Sequence, residues 1–196
     1  MKAGAMADRR APAGLLAIAL LLAPWAAQAA DYRQAAGSTL AFAGEYDGEV
    51  FAGRFAEFDT TLHFDPAHPG SARLDVVVPL ASVDTDNRDR DETLRDAAFF
   101  AVSRFPAARF TAAGFVPQAD GGFLAHGTLE LRGVAAPVTL RLAWRPGPRP
   151  VLEARASVSR TRFGVGGGDW ADTTLLPDAI AVSARVVLDP LPPGAD

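Results

Sequence analysis

The sequence contains no cysteine, and this absence removes several kinds of chemistry at once. Without a thiol, the chain cannot form a disulfide, offer a cysteine nucleophile or hold a metal through thiolates. Lysine is nearly absent as well, because Lys2 is the one lysine in the sequence. Beyond Lys2 there is no lysine for a Schiff base and none for the lysine of a phosphate-binding loop.

The chain also lacks the excess of positive charge on which nucleic-acid binding depends. It carries 19 lysines and arginines against 23 aspartates and glutamates. Taking away residues 1–29, which hold three cations and one anion, leaves 16 against 22. We therefore expect no nucleic-acid partner.

Residues 1–29 have the pattern of a secretory signal peptide: a basic start, the apolar run "APAGLLAIALLLAP" and small residues at positions 27 and 29. The apolar run is shorter than the roughly 20 residues of a membrane-spanning helix. We expect cleavage between Ala29 and Ala30, with an uncleaved anchor as the alternative.

The rest of the chain alternates between apolar and polar residues with a period of two. Such faces recur over residues 74–80, 123–131, 134–144, 152–158 and 180–188. Short turn-like segments, such as "ADGG" and Arg132-Gly133, separate them. Strands with one buried apolar face and one solvent-exposed polar face are typical of antiparallel sheets. The pattern predicts an all-β domain over residues 30–190, a barrel or sandwich of about eight strands, with a loose tail at 191–196.

One segment, Asp84–Pro106, breaks this alternation. Asp86 or Asn87 is a suitable N-cap, and the acids that follow suit the positive end of a helix dipole. We predict one short helix that crosses an end of the barrel and turns Leu94 towards the sheet. The same acids do not fit a calcium loop, because arginines stand where ligands are needed.

The glycine-rich stretch "FGVGGGDW" at residues 163–170 raises the question of a nucleotide site. A dinucleotide fingerprint needs a third glycine where Asp169 stands, and a helix must follow it. Neither condition is met. The glycines instead indicate a loop with positive φ angles or close backbone approaches.

Phenylalanine is abundant, with 12 residues against two tyrosines. A closed barrel of about eight strands can hold one small ligand, and an apolar interior favours a hydrocarbon chain. The strand parity that turns Val158 inwards also turns Arg160 inwards. A buried arginine needs a partner, so Arg160 is the candidate anchor for a polar head group, or else forms an ion pair with Asp91 or Asp169.

From parity and aromatic content we select a set of candidate ligand-binding residues. They are Phe58, Leu62, Phe64, Val76, Val78, Leu94, Phe99, Phe100, Phe110, Leu129, Leu131, Leu140, Leu142, Trp144, Val158, Arg160, Phe163 and Trp170. No catalytic or metal-binding residue is predicted, because the three histidines do not converge with other ligands in the sequence.

Five segments, in order, resemble the YceI-like family, a group of periplasmic proteins that bind polyisoprenoids and other lipids. They are "GRFAEFDTTLHFDP", "SVDT" with "RDETL" and "FF", "FPAARF", "GTLELRGVAAPVTL" and "SRTRFGVGGGDW", within a resemblance that runs from about residue 38 to residue 188. Many members carry histidines near the first strand, where this chain reads "GSTLAFAGEYDG", so any role of those histidines does not carry over.

The resemblance implies a lipocalin-like antiparallel barrel in the periplasm, with an interior tunnel for a long isoprenoid or acyl chain. The ending "GVGGGDW" is similar to a subgroup that also occurs fused to membrane cytochrome b561 domains. This similarity implies quinone-like prenyl lipids as ligands, and transient contact with a membrane or with a cytochrome b561-type protein.

Three functions remain open on the sequence. The first is a non-enzymatic lipid carrier, monomeric or homodimeric, without a cofactor other than a bound lipid or isoprenoid quinone. The second is an enzyme or redox accessory acting on a quinone-type substrate, which predicts an inward titratable pair near Arg160. The third is a structural barrel whose own side chains fill the interior.

Overall fold

The structure is a computed structural model that describes residues 30–192. The predicted signal peptide and most of the predicted tail lie outside the described residues. The strands are β1 (Ala30–Gln34), β2 (Thr39–Tyr46), β3 (Glu49–Phe55), β4 (Asp59–Phe64), β5 (Arg73–Pro79), β6 (Val83–Asp84), β7 (Ala107–Pro117), β8 (Phe123–Leu131), β9 (Val134–Arg145), β10 (Val151–Ser159) and β11 (Ala179–Pro190). One α-helix, α1 (Arg88–Arg95), lies between β6 and β7.

These segments form a closed antiparallel barrel with eight strand positions. β1 and β2 both run along β11, so they are two parts of one bent strand. β3 and β4 likewise run along β6 and β5, and a short 3₁₀ turn joins β5 to β6. Three bent strands and the five long strands β7–β11 make eight, and β1 closes the ring by pairing with both β4 and β11. The predicted eight-stranded barrel is confirmed.

Helix α1 crosses one end of the barrel, as predicted. Of the two candidate caps the chain uses Asn87, whose side chain accepts a hydrogen bond of 3.0 Å from the Arg90 amide. The buried carboxylate of Asp91 accepts hydrogen bonds from the Thr85 amide and hydroxyl, at 2.8 and 2.7 Å. These bonds tie the helix to the end of β6. Leu94 is buried beneath it.

The opposite end is filled by aromatic side chains. We call Tyr32, Phe64, Phe115, Phe123 and Trp144 the aromatic floor. Phe64 is fully buried, and its ring centroid lies 5.0–5.4 Å from those of Phe115, Phe123 and Trp144. Edge and tilted contacts at such distances are favourable for aromatic pairs. The floor therefore closes this end with the side chains of the barrel itself.

Within residues 30–192, no helix has the length and apolar character needed to cross a membrane.

Candidate functional site

A cavity of about 230 Å³ lies between the aromatic floor and helix α1. Among the lining residues that the structure describes, only Thr60, Arg155 and Arg160 carry polar side chains. An apolar cavity of about 150 Å³ is known to stay dry and to take up small hydrocarbons. The interior of this barrel is larger and equally apolar, so it is suited to an apolar ligand.

The middle of the barrel is lined rather than filled. Leu129, Val138 and Leu140 lie on the inner face, yet they are only partly buried because they face the cavity. In a core packed like that of an ordinary domain, such side chains would lose almost all their accessible surface. The structure therefore argues against a barrel filled by its own side chains.

Two thirds of the predicted ligand-binding residues lie together on the cavity wall. They are Phe58, Val76, Val78, Leu94, Phe99, Phe100, Phe110, Leu129, Leu131, Leu140, Val158 and Arg160. Strand parity placed them on the inner face, and helix α1 and the segment after it brought in Leu94, Phe99 and Phe100. Their role in binding stays a prediction.

The other six predicted residues lie outside the cavity wall. Four of them, Leu62, Phe64, Leu142 and Trp144, belong to the packed core around the aromatic floor. Strand parity indicates the face of a residue but not its height along the barrel axis. These four face inwards at the filled end.

Phe163 and Trp170 were also expected to line the tunnel, but they pack behind its wall at the helix end. Phe163 is 1% exposed within the cluster around Leu94. The ring of Trp170 lies 5.3 Å from that of Phe99 and 5.7 Å from that of Tyr46. Both residues support the wall rather than form it.

The sequence reasoning missed several lining residues. Those on β2 and β3 are Leu40, Phe42, Phe51 and Phe55, and those on the loop before β11 are Val165 and Leu176. The alternation of "TLAFAGEY" carried the signal for Leu40 and Phe42. No sequence pattern indicated Leu176, because it reaches the cavity from a loop.

One part of the wall is not closed by backbone hydrogen bonds. The register between β9 and β10 ends at the pair Arg155–Arg141. Towards the helix end, the described parts of both strands pair with β8 and β11 but not with each other. Val138 and Leu140 line the cavity on one side of this gap, and Val158 lines it on the other. The wall there has no backbone hydrogen bonds between the described residues of β9 and β10.

Arg160 is the buried cation of the site, with 3% of its surface exposed. Its guanidinium donates hydrogen bonds to the carbonyl oxygens of Leu176 at 2.6 Å, Gly166 at 2.8 Å and Val165 at 3.0 Å. Burial lowers the pKa of this guanidinium, while the nearby carboxylate of Asp178 opposes the shift. Backbone oxygens thus supply the partners that a buried cation requires.

This geometry corrects the expectation for Arg160. It was predicted to anchor a ligand head group, or to pair with Asp91 or Asp169. Instead, its donors hold the loop that follows β10, and Asp91 pairs with Thr85. The backbone carbonyls that turn towards Arg160 come from a glycine-rich segment, and no sequence pattern predicts the direction of a carbonyl.

We call Phe163–Trp170 the glycine loop. The amides of Gly166 and Gly167 donate to the carbonyl oxygen of Ala98, at 2.8 and 3.2 Å, which joins the loop to the segment after α1. A phosphate-binding loop presents amides to an anion, whereas this loop presents the carbonyls of Val165 and Gly166 to a cation. The loop is therefore a structural clamp at the helix end of the cavity.

A pair of glycine substitutions tests the clamp. Gly166 has φ +71°, and an added Cβ would lie 2.6 Å from Nη1 of Arg160. Gly168 has a similar φ of +63° but nothing within 4 Å of the added atom. We expect Gly168→Ala to cost about 1 kcal/mol from backbone strain alone, and Gly166→Ala to cost at least about 2 kcal/mol more through displacement of Arg160. Chemical denaturation measures both, and equal losses would contradict the clamp.

Asp178 holds Thr161, two residues before the glycine loop begins. Its carboxylate accepts hydrogen bonds from the Thr161 hydroxyl at 2.5 Å and from the Thr161 amide at 2.9 Å, and these bonds lower the pKa of Asp178. A carboxyl group whose pKa is lower in the folded state stabilises the fold above its unfolded pKa of about 3.9, and this contribution is lost as the pH falls through the folded pKa.

We therefore expect Asp178→Asn to have a lower free energy of unfolding than the parent protein near pH 7. The difference in free energy of unfolding between the two proteins should shrink as the pH falls below about 4. Denaturation midpoints measured from pH 7 to pH 2 check this expectation. Asp169→Asn is the matched control, because Asp169 is an exposed acid on the same loop. A difference in stability between Asp178→Asn and the parent that stays constant from pH 7 to pH 2 would show that the charge of Asp178 does not stabilise the fold.

The described residues contain no group of three histidine, aspartate or glutamate side chains placed to hold a metal ion. His63 and His68 instead form separate pairs with Asp31 and Asp65, at 2.8 and 2.7 Å.

Comparison with known proteins decides the family. The family model of the YceI-like domain matches residues 33–188, nearly all of the described chain. The chain belongs to the YceI-like family. The fold and the motif order of this YceI-like chain thus agree with the resemblance seen in its sequence.

Curated relatives carry the name UPF0312 protein. One from Serratia proteamaculans is 35% identical over 164 residues, covering 78% of this chain and 84% of the relative. One from Shewanella baltica is 36% identical over 126 residues, covering 62% of this chain. The chain spans 66% of the length of that Shewanella relative, slightly under two thirds.

Solved structures share the fold of this YceI-like chain. BcnA of Burkholderia cenocepacia superposes with a TM-score of 0.74 at 22% identity, covering 76% of this chain and 95% of BcnA. A polyisoprenoid binding domain from Saccharophagus degradans gives 0.64 at 16% identity, covering 84% and 100%. A YceI protein of Campylobacter jejuni gives 0.60 at 25% identity, covering 71% and 84%.

Proposed function

We propose that this protein binds the hydrocarbon chain of an amphipathic lipid inside its barrel, and that it carries or stores the lipid in the periplasm. The observation that carries the proposal is the apolar cavity, whose lining side chains remain partly accessible from within. The YceI-like family and the polyisoprenoid binding domain with the same fold support a lipid-binding role.

The chemistry of the lining explains why a hydrocarbon chain would bind. Removing apolar surface from water yields about 25 cal/mol per Å², or about 0.8 kcal/mol for each buried methylene. A lipid chain that fills the space between the aromatic floor and α1 gains this free energy from contacts along its whole length. Candidate lipids are polyisoprenoids, prenyl lipids related to quinones, and fatty acids or amides.

The alternative of catalysis on a quinone-type substrate draws no support from this site. It requires a titratable pair beside Arg160, facing the cavity. Among the described lining residues the ionisable groups are Arg155 and Arg160, and the donors of Arg160 are held by backbone carbonyls. Binding without chemical conversion is the function that this lining supports.

Displacement of a fluorescent fatty-acid probe from delipidated protein tests the proposal. We expect one saturable site per chain, and displacement by long prenols, quinols or fatty amides but not by their short, water-soluble analogues. A probe that does not bind, or that long-chain lipids fail to displace, would contradict lipid binding.

A further inference from the structure

Two buried polar atoms of the barrel lack a hydrogen-bond partner among residues 30–192: Thr60 Oγ1 and Gln34 Oε1. Thr60 is 1% exposed and lines the cavity. The amide nitrogen of Gln34 donates to the carbonyl oxygen of Phe58 at 2.8 Å, which fixes the orientation of the amide and leaves Oε1 as its free acceptor. Buried polar groups are almost always paired in folded proteins, so both atoms need an explanation.

The strand register sets these two side chains opposite each other. In the antiparallel pairing of β1 with β4, Arg33 lies opposite Thr61. The paired residues end there. Continued by one residue along both strands, the same register sets Gln34 opposite Thr60. Directly opposite residues point to the same face of a sheet, so Gln34 shares the inner face with Thr60.

The pair lies deep in the barrel. Thr60 is opposite Val76, which is one inward position above Leu74 on β5. Leu74 belongs to the packed core around the aromatic floor. The polar pair is therefore at the closed end of the cavity, while Arg160 lies at the helix end and is occupied by the glycine loop.

We propose that Thr60 and Gln34 form the head-group site of the bound lipid, and that the lipid is neutral and carries a hydroxyl or amide N–H. This inference rests on the proposed lipid binding and specifies its ligand. Oε1 of Gln34 only accepts hydrogen bonds, and the Thr60 hydroxyl has two lone pairs and one proton. A prenol, a quinol or a primary amide supplies the missing donor.

Other lipid classes fit this pair less well. A carboxylate or phosphate brings only acceptors, together with a charge that needs a cation at the closed end. A quinone or an ester likewise offers acceptors alone. The bound lipid therefore points its head group towards the aromatic floor, and its chain runs towards Phe42, Phe55 and Phe100 at the helix end.

The test compares the C20 prenol geranylgeraniol with its methyl ether, which has the same chain but no donor. We expect the delipidated protein to bind the alcohol about tenfold more tightly than the ether, as one buried hydrogen bond predicts. Gln34→Met should bring this ratio close to one, because Oε1 is the atom that needs the proton of the alcohol. Thr60→Val removes a hydroxyl that can donate to either ligand oxygen, so it should weaken the binding of alcohol and ether together. Thr60→Ser should keep the preference, as should Thr61→Val, which alters the exposed neighbour.

The possible results distinguish the head-group site, the neutral class of lipid and lipid binding itself. Equal affinities of the parent protein for alcohol and ether would overturn the head-group site while lipid binding stands, because water would then satisfy both atoms. An unchanged ratio in Gln34→Met would overturn it as well. Tighter binding of geranylgeranoic acid than of the alcohol would overturn the neutral class. Failure of all these ligands to bind would contradict the proposed function itself.

Discussion

Replacing Arg160 with methionine is expected to cost about 4 kcal/mol of folding free energy, because the carbonyls that it binds would stay buried without a donor. The guanidinium holds oxygens of Val165, Gly166 and Leu176 within 3.0 Å. For a domain of this size, such a loss lowers the melting temperature by on the order of 10 °C. Thermal unfolding followed by circular dichroism measures this directly.

Arg162→Met provides the matched control, because Arg162 is two residues away and exposed. We expect a change within about 0.5 kcal/mol for this surface variant. Hydrogen exchange separates local from global effects, since loss of Arg160 should expose the amides of Gly166 and Gly167 first. An Arg160→Met protein as stable as Arg162→Met, with a protected glycine loop, would show that Arg160 does not hold the loop.

Filling the cavity is expected to remove lipid binding without harm to the fold. Ala154 lies on the cavity wall, between Leu142 of β9 and Ala184 of β11. Ala154→Phe puts a ring where three or four methylenes of the ligand would lie. At about 0.8 kcal/mol per methylene, affinity for a long-chain lipid should fall about 100-fold. The free energy of unfolding should stay equal or rise, because the ring gains contacts in an unfilled space.

Ser157→Phe adds the same ring to the exposed face of β10 and should leave both quantities unchanged. Probe displacement measures affinity, and chemical denaturation measures stability. A lipid affinity unaffected by Ala154→Phe would mean that the ligand lies elsewhere. A large loss of stability would mean that the cavity is smaller than the structure shows.

The sequence predicted the barrel well because alternation reports directly on the face of each strand. Val76, Leu129 and Val158 were placed on the inner wall from parity alone, and the structure has them there. The pattern also located the helix and narrowed its N-cap to Asp86 or Asn87, of which the chain uses Asn87. Phe55 and Phe58 fall on opposite parities of the alternation, which indicates a bend between them, and β3 ends and β4 begins there. The bends that divide the other two barrel strands came only from the structure.

The sequence did not indicate how far along the barrel axis a residue lies, or in which direction a backbone carbonyl points. Phe64 and Trp144 point inwards like the lining residues, but they lie at the filled end of the barrel. The alternation of a strand carries no information about position along the barrel axis. The partner of Arg160 was missed because backbone carbonyls have no sequence signature. Gln34 was missed because its significance depends on Thr60, its neighbour across two strands that are distant in sequence.

Native mass spectrometry of the protein purified from the periplasm, followed by organic extraction of the bound material, tests the central claim most directly. We expect a protein mass without residues 1–29 and, on it, one additional mass that matches a single long-chain lipid with a hydroxyl or amide group. We also expect Ala154→Phe to purify without this additional mass. A parent protein that carries no lipid, and that takes up no prenol, quinol or fatty amide when these are added, would contradict it.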